Sequence, residues 1–399
     1  MKKKLLFVID SLTCGGAEKS LVTLLSLLDY DKFDVDLQLF AYGGPFEKFL
    51  HKRVNLLEPL VITDYLSKPL WLQFLNILKK ENRNILKARL KYSFLLRKNK
   101  RRLNNAAIAR IYWNCFSSCI KKTEDYDVAI GYGQAVPTFY VAEKASSKLK
   151  YGWVNAQYTI SGVEKDFQFQ FYKRLNKIVL VTPELKDIFK TVYPDFQDKM
   201  VVIQDILSDK VIKRMSLEGE SLKKIKDEFI LVTIGRLNQF AKGFDILLLV
   251  NSELKKRNIN FKWYIIGEGP FRKDMEIFIA ENNLQTNLFL LGFKSNPYSY
   301  LASADLYVQT SRHEGFGLSI AEARLLNVPV VTTEFDAVYN QMIPEENGLV
   351  VPQDPVAVAD AIERILTDKK LYQHIVSFLK TEKKGNTEEL EKFYALIER

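Results

Sequence analysis

A chain of 399 residues is longer than one hydrophobic core usually serves, and at ~100–200 residues per domain it points to two domains. With 47% hydrophobic and 27% charged residues it has the composition of a globular protein, which excludes a disordered chain. The formal net charge of +10 suggests acidic partners, but eleven Lys or Arg against the one acid Glu81 between Lys79 and Arg102 account for all of it, so the rest is close to neutral.

The amino terminus, Met1-Lys2-Lys3-Lys4 and then Leu5-Leu6-Phe7-Val8-Ile9, is basic and then apolar. Asp10 stops the apolar run after five residues, short of the apolar centre of a secretion signal, so a buried first strand is expected instead. Gly15-Gly16 breaks that strand, and Leu21, Leu24, Leu25 and Leu28 follow at helical spacing. Residues 35–40 read as the next strand, giving a β-α-β start. Over residues 66–122, apolar side chains such as Trp71, Phe74, Leu90 and Phe94 are interleaved with the basic cluster, which predicts one or two amphipathic helices. Strands are expected at 128–131, 151–154 and 177–181. Cys14, Cys115 and Cys119 form no disulfide framework, and with only His51, His313 and His374 there is no clustered metal pattern. A reducing cytoplasm fits this usage. No stretch of ~18 uncharged apolar residues occurs, so no membrane-spanning helix is expected.

A second β-α pattern opens with a strand at 229–234. It continues through a helix near 244–254, a strand at 261–266, a helix at 271–282 and strands at 288–291 and 306–309. A helix at 319–326 and a strand at 328–332 complete it. Short strands separated by helices of ~10–12 residues mark a doubly wound sheet. The domain boundary falls near 200–228, where residues 216–227 are charged and weakly apolar. The tail from Pro355 is helical by pattern.

The strongest motif is Ser311-Arg312-His313-Glu314-Gly315-Phe316-Gly317-Leu318-Ser319-Ile320-Ala321-Glu322-Ala323, between a strand and a helix. Its glycines let the backbone approach a ligand closely, and the helix start favours an anion such as a diphosphate. Its carboxylates suit paired hydrogen bonds from sugar or ribose hydroxyls. Ser319-x-x-Glu322 is also the pattern of a capping box, in which Glu322 would only secure the helix start; Glu314, the glycines and the upstream loops favour the ligand reading. Upstream, Ile234-Gly235-Arg236-Leu237 ends a strand and Lys242-Gly243 follows. Two cations on a loop beside a helix start form a phosphate clamp, against the plainer reading of solvated surface charges. Gly267-Glu268-Gly269-Pro270 and Gly292-Phe293 stand at the next strand ends, where ordinary turn chemistry explains them about as well.

This set is similar to the motifs of family 4 retaining glycosyltransferases of the GT-B fold. The resemblance covers most of residues 229–355 and, less specifically, 1–45. It implies that Glu314 holds hydroxyls of the donor sugar, Glu322 the ribose, and the backbone of Phe316, Gly317 and Leu318 the phosphates. It implies a diphosphate clamp of Arg236 and Lys242, a nucleotide-side loop at Gly267 and a base-reading backbone at Phe293. The Cys14-Gly15-Gly16-Ala17-Glu18 loop resembles the family's Gly-Gly-Ala-Glu loop, which faces the donor phosphates. One position departs: Asn155, in Trp153-Val154-Asn155-Ala156-Gln157-Tyr158, stands where many members have a His. Asn155 and Gln157 are candidates to bind the acceptor, but Asn cannot act as a general base at neutral pH.

The expected architecture is two doubly wound Rossmann-like α/β domains facing a cleft. Residues 1–205 would bind the acceptor, 206–375 the nucleotide sugar, and a helix over 376–399 would pack back on the first domain. The expected activity is retaining hexosyl transfer from a nucleotide-diphosphate sugar, UDP being the first choice, with no metal or other cofactor. The acceptor would be a lipid-linked or envelope or capsule glycan. A basic amphipathic segment over 66–122 suits the anionic inner face of the cell membrane, giving a cytoplasmic, peripheral protein; the plainer reading is a solvated helical insertion. No nucleic-acid module accompanies the charge, so nucleic acid is not expected as a partner. The alternatives are a non-catalytic GT-B partner subunit and a GT-B nucleotide-sugar epimerase.

Overall fold

The structure, a computed structural model, describes residues 2–13, 15–67, 80–99, 104–155 and 160–398. Its strands form two sheets in which every pairing is parallel. The first holds β1 (Lys3–Ile9), β2 (Phe33–Leu39), β3 (Val54–Leu56), β4 (Asp125–Gly131), β5 (Ser146–Val154), β6 (Lys177–Leu180) and β7 (Met200–Val202), in the order β3-β2-β1-β4-β5-β6-β7. The second holds β8 (Phe229–Ile234), β9 (Phe261–Ile266), β10 (Leu288–Gly292), β11 (Leu306–Gln309), β12 (Val330–Thr333) and β13 (Gly348–Val351), in the order β10-β9-β8-β11-β12-β13. Both are doubly wound, as the alternating sequence pattern predicts. The winding reverses between β1 and β4 in the first sheet and between β8 and β11 in the second.

Strands covered on both faces read as unbroken apolar runs. Leu5, Leu6, Phe7 and Val8 of β1 are fully buried. In β8, Leu231 joins a core with Phe244, Trp263 and Ile265, while its neighbours Ile230 and Val232 face a second core with Tyr307 and Val330. The period-2 alternation of a strand thus feeds two separate helix layers. Two polar side chains in this interior satisfy each other: Trp263 Nε1 donates to Thr233 Oγ1 at 2.9 Å, and Thr233 Oγ1 to the Val308 carbonyl at 2.6 Å.

The sequence pattern finds β5 only over its last four residues. The structure extends it to Ser146, and the register gives the reason: β6 pairs only with Tyr151–Val154, so the polar first part has a neighbour on one side alone. The edge strands β3 and β7 are each three residues long, too short to show a period.

Residues 66–122 contain two helices among the described residues, Lys80–Lys98 and Asn105–Phe116. Asn104 caps the second by accepting from the Ala107 amide at 2.8 Å. The first buries Ile85 and Leu86 and leaves Leu90 and Phe94 exposed at 54% and 64%. Trp71 and Phe74 lie outside the described residues. No helix among the described residues is long and apolar enough to cross a membrane.

The chain divides into two compact units. One comprises Met1–Thr13, Ala17–Gln204 and Lys392–Arg399; the other comprises Cys14–Gly16 and Asp205–Glu391. In place of one helix over 376–399 there are two, Lys369–Thr381 and Glu388–Ile397. Gly385, with φ +76°, lies in the turn between them. Within the first unit, Phe393 stacks on Phe7 at 6.2 Å and Tyr394 on Phe33 at 5.8 Å, while the Tyr151 hydroxyl donates to the Leu396 carbonyl at 2.9 Å.

Candidate active site

In an open parallel sheet, ligands are taken outside the carboxyl ends of the strands where the winding reverses. In the second sheet that place is the pair β8 and β11, and the sequence-predicted donor residues collect there. Arg236 follows β8, Gly267 follows β9, Phe293 follows β10, and Glu314 to Leu318 follow β11.

Backbone contact locks these loops together. The Gly235 amide donates to the Ile266 carbonyl at 3.0 Å, the Leu237 amide to Glu268 at 3.0 Å, and the Gly267 amide to Gly292 at 2.9 Å. A Cβ at Gly267, where φ is +150°, would overlap the Gly235 carbonyl oxygen, and one at Gly269 would overlap that of Leu237. These glycines are thus required by close packing of one loop on another, a stronger reason than the turn chemistry their sequence suggests.

Glu314 is the best-held side chain of the group, with only 10% of it exposed. Its Oε1 accepts from Lys242 Nζ in an ion pair, from Ser311 Oγ at 2.6 Å and from Gln309 Nε2 at 3.1 Å. Its Oε2 has no partner among the described residues. One oxygen is therefore anchored and the other left to accept from a ligand. Lys242 is not the free cation the sequence suggests, since it neutralises Glu314. Arg236 is exposed and has no carboxylate partner among the described residues.

The helix after the motif, Leu318–Leu325, begins at Gly317 in the left-handed region (φ +80°), and no side chain caps it. Ser319 therefore sits inside the helix, and the capping box is not formed. Glu322 turns inward instead, 1% exposed, and accepts from the Tyr298 hydroxyl at 3.1 Å. Burial, and then the Glu322 charge, push the Tyr298 hydroxyl well above its ordinary pKa, so it stays a donor. The amides of Leu318 and Ser319 have no intrahelical acceptor, which leaves donors and a positive helix end for an anion.

Three supporting side chains escaped the sequence reading. Gln341, 5% exposed, donates its amide to the Phe316 carbonyl and holds the glycine loop from behind. Arg312 donates to both oxygens of Asp245 at 2.8 Å, tying the loop to the helix Phe244–Lys256. Burial acts to raise the Asp245 carboxyl, but the Arg312 hydrogen bonds and charge outweigh it and hold the group below the ordinary carboxylate range. Gln309 was legible only as a polar residue ending an apolar strand.

Of the remaining sequence-predicted residues, Gly15 follows β1 and Gly16 starts the helix Gly16–Leu27. Asn155 follows β5, with its Nδ2 directed to the Tyr132 carbonyl at 3.5 Å and its amide to Gln134 Oε1 at 3.3 Å. Gln157 lies outside the described residues.

Residues 217–380 match the family model described as glycosyl transferases group 1. The chain is 30% identical over 169 residues to an uncharacterized glycosyltransferase of Methanocaldococcus jannaschii, covering 41% of each chain. It is 28% identical over 214 residues to the N-acetylgalactosamine-N,N'-diacetylbacillosaminyl-diphospho-undecaprenol 4-alpha-N-acetylgalactosaminyltransferase of Campylobacter jejuni, covering 52% of this chain and 56% of that one. The matched stretch thus spans about half the length of these relatives. Among solved structures, a TarM variant from S. aureus, in complex with Fondaparinux, alpha-GlcNAc-glycerol and UDP, aligns over 100% of both chains with a TM-score of 0.67 at 17% identity. At that identity the likeness speaks of the fold, two Rossmann-like sheets of GT-B type. The loops that hold Arg236, Lys242, Glu314 and Glu322 lie inside the stretch 217–380 that matches the glycosyl transferases group 1.

Proposed function

We propose that this protein is a retaining glycosyltransferase whose second unit binds a nucleotide-diphosphate sugar, UDP being the first base to test. The observation that carries the reading is Glu314. A buried carboxylate has one oxygen held by three donors and one left over, at the switch point of a parallel sheet. The loop after the neighbouring strand β8 carries Arg236, which has no carboxylate partner among the described residues, and the helix after the motif starts uncapped. In this reading Glu314 Oε2 accepts from sugar hydroxyls, Glu322 serves the ribose, and the amides from Phe316 to Leu318 meet the diphosphate. Gly267 and Phe293 flank the nucleotide, and Gly15 and Gly16 serve the phosphates. Arg236 and Lys242 offset the charge that grows as the diphosphate leaves, which is why no metal or other cofactor is invoked. The acceptor oxygen forms its bond to the anomeric carbon as the bond to phosphate breaks, and the acceptor proton passes to the departing phosphate oxygen. No general base is needed, in keeping with Asn155.

The acceptor we propose is a glycan or lipid-linked intermediate, with Asn155 and Gln157 on its side. The diphospho-undecaprenol in the name of the Campylobacter relative supports a lipid-linked one. The helix Lys80–Lys98 supports a location on the inner membrane surface: Arg83, Lys87, Leu90, Lys91, Phe94, Arg97 and Lys98 are all exposed on it.

The decisive experiment is a thermal-shift panel of UDP, GDP, ADP and TDP with wild type and Arg236→Ala. A nucleotide at a hundred times its Kd adds about 2.7 kcal/mol to the stability of the folded state. One nucleotide should raise the melting temperature of wild type, and the variant should lose most of that rise. No shift with any of the four would favour a non-catalytic partner subunit. Conversion of a nucleotide sugar without any acceptor would favour an epimerase.

A further inference from the structure

Tyr307 of β11 carries a hydroxyl where the packing asks for none. Its ring is fully buried in the core of Ile230, Val232, Ile320 and Val330, a space that a phenylalanine ring would fill. Gln309 stands two residues on in the same strand, so the alternation of a strand puts it on the same face. The Tyr307 hydroxyl donates to Gln309 Oε1 at 2.8 Å, and Gln309 Nε2 donates to Glu314 Oε1 at 3.1 Å. A hydrogen bond from the Ser319 side chain, in the first turn of the helix Leu318–Leu325, also reaches the Tyr307 oxygen. Ser319, Tyr307, Gln309 and Glu314 thus form one chain from the helix start to the carboxylate, and every link donates toward Glu314.

That direction follows from which groups can donate. A glutamine amide can face either way, and its neighbours decide, while an ionised carboxylate only accepts. The Tyr307 hydroxyl has one proton and two acceptors in reach, Gln309 Oε1 at 2.8 Å and the Ile234 carbonyl at 3.3 Å. With the proton on Gln309 Oε1, the amide turns Nε2 to Glu314. With the proton on Ile234, the Tyr307 oxygen would need Nε2 as its donor, and Oε1 would face the carboxylate, acceptor against acceptor. Burial holds the Tyr307 hydroxyl above its ordinary pKa and outweighs the Ser319 bond, so the proton stays available. Gln309 is only 4% exposed, so solvent does not compete for either end of its amide.

We infer that Tyr307 is a positioning residue for the donor sugar: by fixing the Gln309 amide it keeps Glu314 Oε1 filled with donors and leaves Oε2 as the oxygen that meets the sugar. The inference rests on the reading of Glu314 as the holder of the donor sugar. Tyr307 is fully buried and acts on the sugar only through Gln309.

The test compares wild type with Tyr307→Phe, Gln309→Leu and the double variant by calorimetric titration of the full chain. The probes are paired: UDP with UDP-glucose and UDP-N-acetylglucosamine, GDP with GDP-mannose, ADP with ADP-glucose, and TDP with TDP-glucose. In Tyr307→Phe the affinity of a nucleotide sugar relative to its own diphosphate should fall about three- to tenfold, as for one lost hydrogen bond, with the diphosphate affinity within about twofold of wild type. Gln309→Leu, which leaves the Tyr307 ring in place, should show the same selective loss, and the double variant should be no worse, because Tyr307 acts through Gln309. An unchanged ratio, an equal fall for diphosphate and nucleotide sugar, or additive losses in the double variant overturns the inference. NMR of protein labelled at its glutamine amides reads the same point without a ligand. The side-chain signal that disappears in Gln309→Leu should be protected from solvent exchange in wild type, and it should shift and lose protection in Tyr307→Phe. A signal that stays in place also overturns the inference. If no probe binds wild type, the transfer reading falls, and this signal alone decides whether Tyr307 orients the amide.

Discussion

Gly243 shows how much a single position can carry. It joins the short helix Gln239–Lys242 to the helix Phe244–Lys256 with φ +61° and ψ 34°, the left-handed region that costs other residues roughly 1–2 kcal/mol. A Cβ there would also overlap the Thr310 carbonyl oxygen. Gly243→Ala should therefore lower the stability of the second unit by at least ~2 kcal/mol in urea unfolding, strain and clash together. A loss under ~0.5 kcal/mol, as for an ordinary surface change, would show that the junction is not held as described. Glu314 and Glu322 were legible as a spaced pair because each flanks the glycines that open the loop. Their roles diverge for a reason no spacing reveals: one side chain is held at the loop by Lys242, Ser311 and Gln309, the other is buried against Tyr298.

At the scale of elements, the helix Lys80–Lys98 carries two faces. Ile85 and Leu86 are buried, whereas positions 83, 87, 90, 94 and 97, at spacings of three and four, are exposed and include Leu90 and Phe94. A mixed cationic and apolar outer face suits an anionic lipid surface, where each cation near the membrane adds about 1 kcal/mol. Replacing Lys87, Lys91, Arg97 and Lys98 by Gln should cut partition onto phosphatidylserine-containing vesicles on the order of a thousandfold in a flotation assay. Phosphatidylcholine vesicles should recover little of either protein. Equal recovery of both with anionic vesicles would leave this helix a solvated insertion. The amphipathic period was readable from the sequence; which side meets the core was not, since cations and large apolar residues share the exposed face.

At the scale of the whole molecule, the chain does not divide in sequence order. Its last residues, Lys392–Arg399, belong to the first unit, where Phe393 and Ile397 are fully buried. Phe393 lies against Phe7 and Trp153 at ring distances of 6.2 and 6.1 Å. Phe393→Ala should cost about 3–5 kcal/mol, the usual price of truncating a buried Phe. The loss should appear as earlier unfolding of the amino-terminal unit, followed by hydrogen exchange in β1 and β5. Protection unchanged in those strands would show that the terminal helix contributes nothing to that core.

The sequence by itself determined the two doubly wound sheets and the loop array after β8 and β11. Buried parallel strands are continuous apolar runs, and loops that approach a ligand need glycine at fixed offsets. Both are local signals. Only the tertiary structure decided that Lys242 neutralises Glu314, that Glu322 is no cap, and that Gln341 holds the glycine loop. Each of these depends on side chains brought together from distant strands by sheet order and register, and one-dimensional spacing does not encode that meeting.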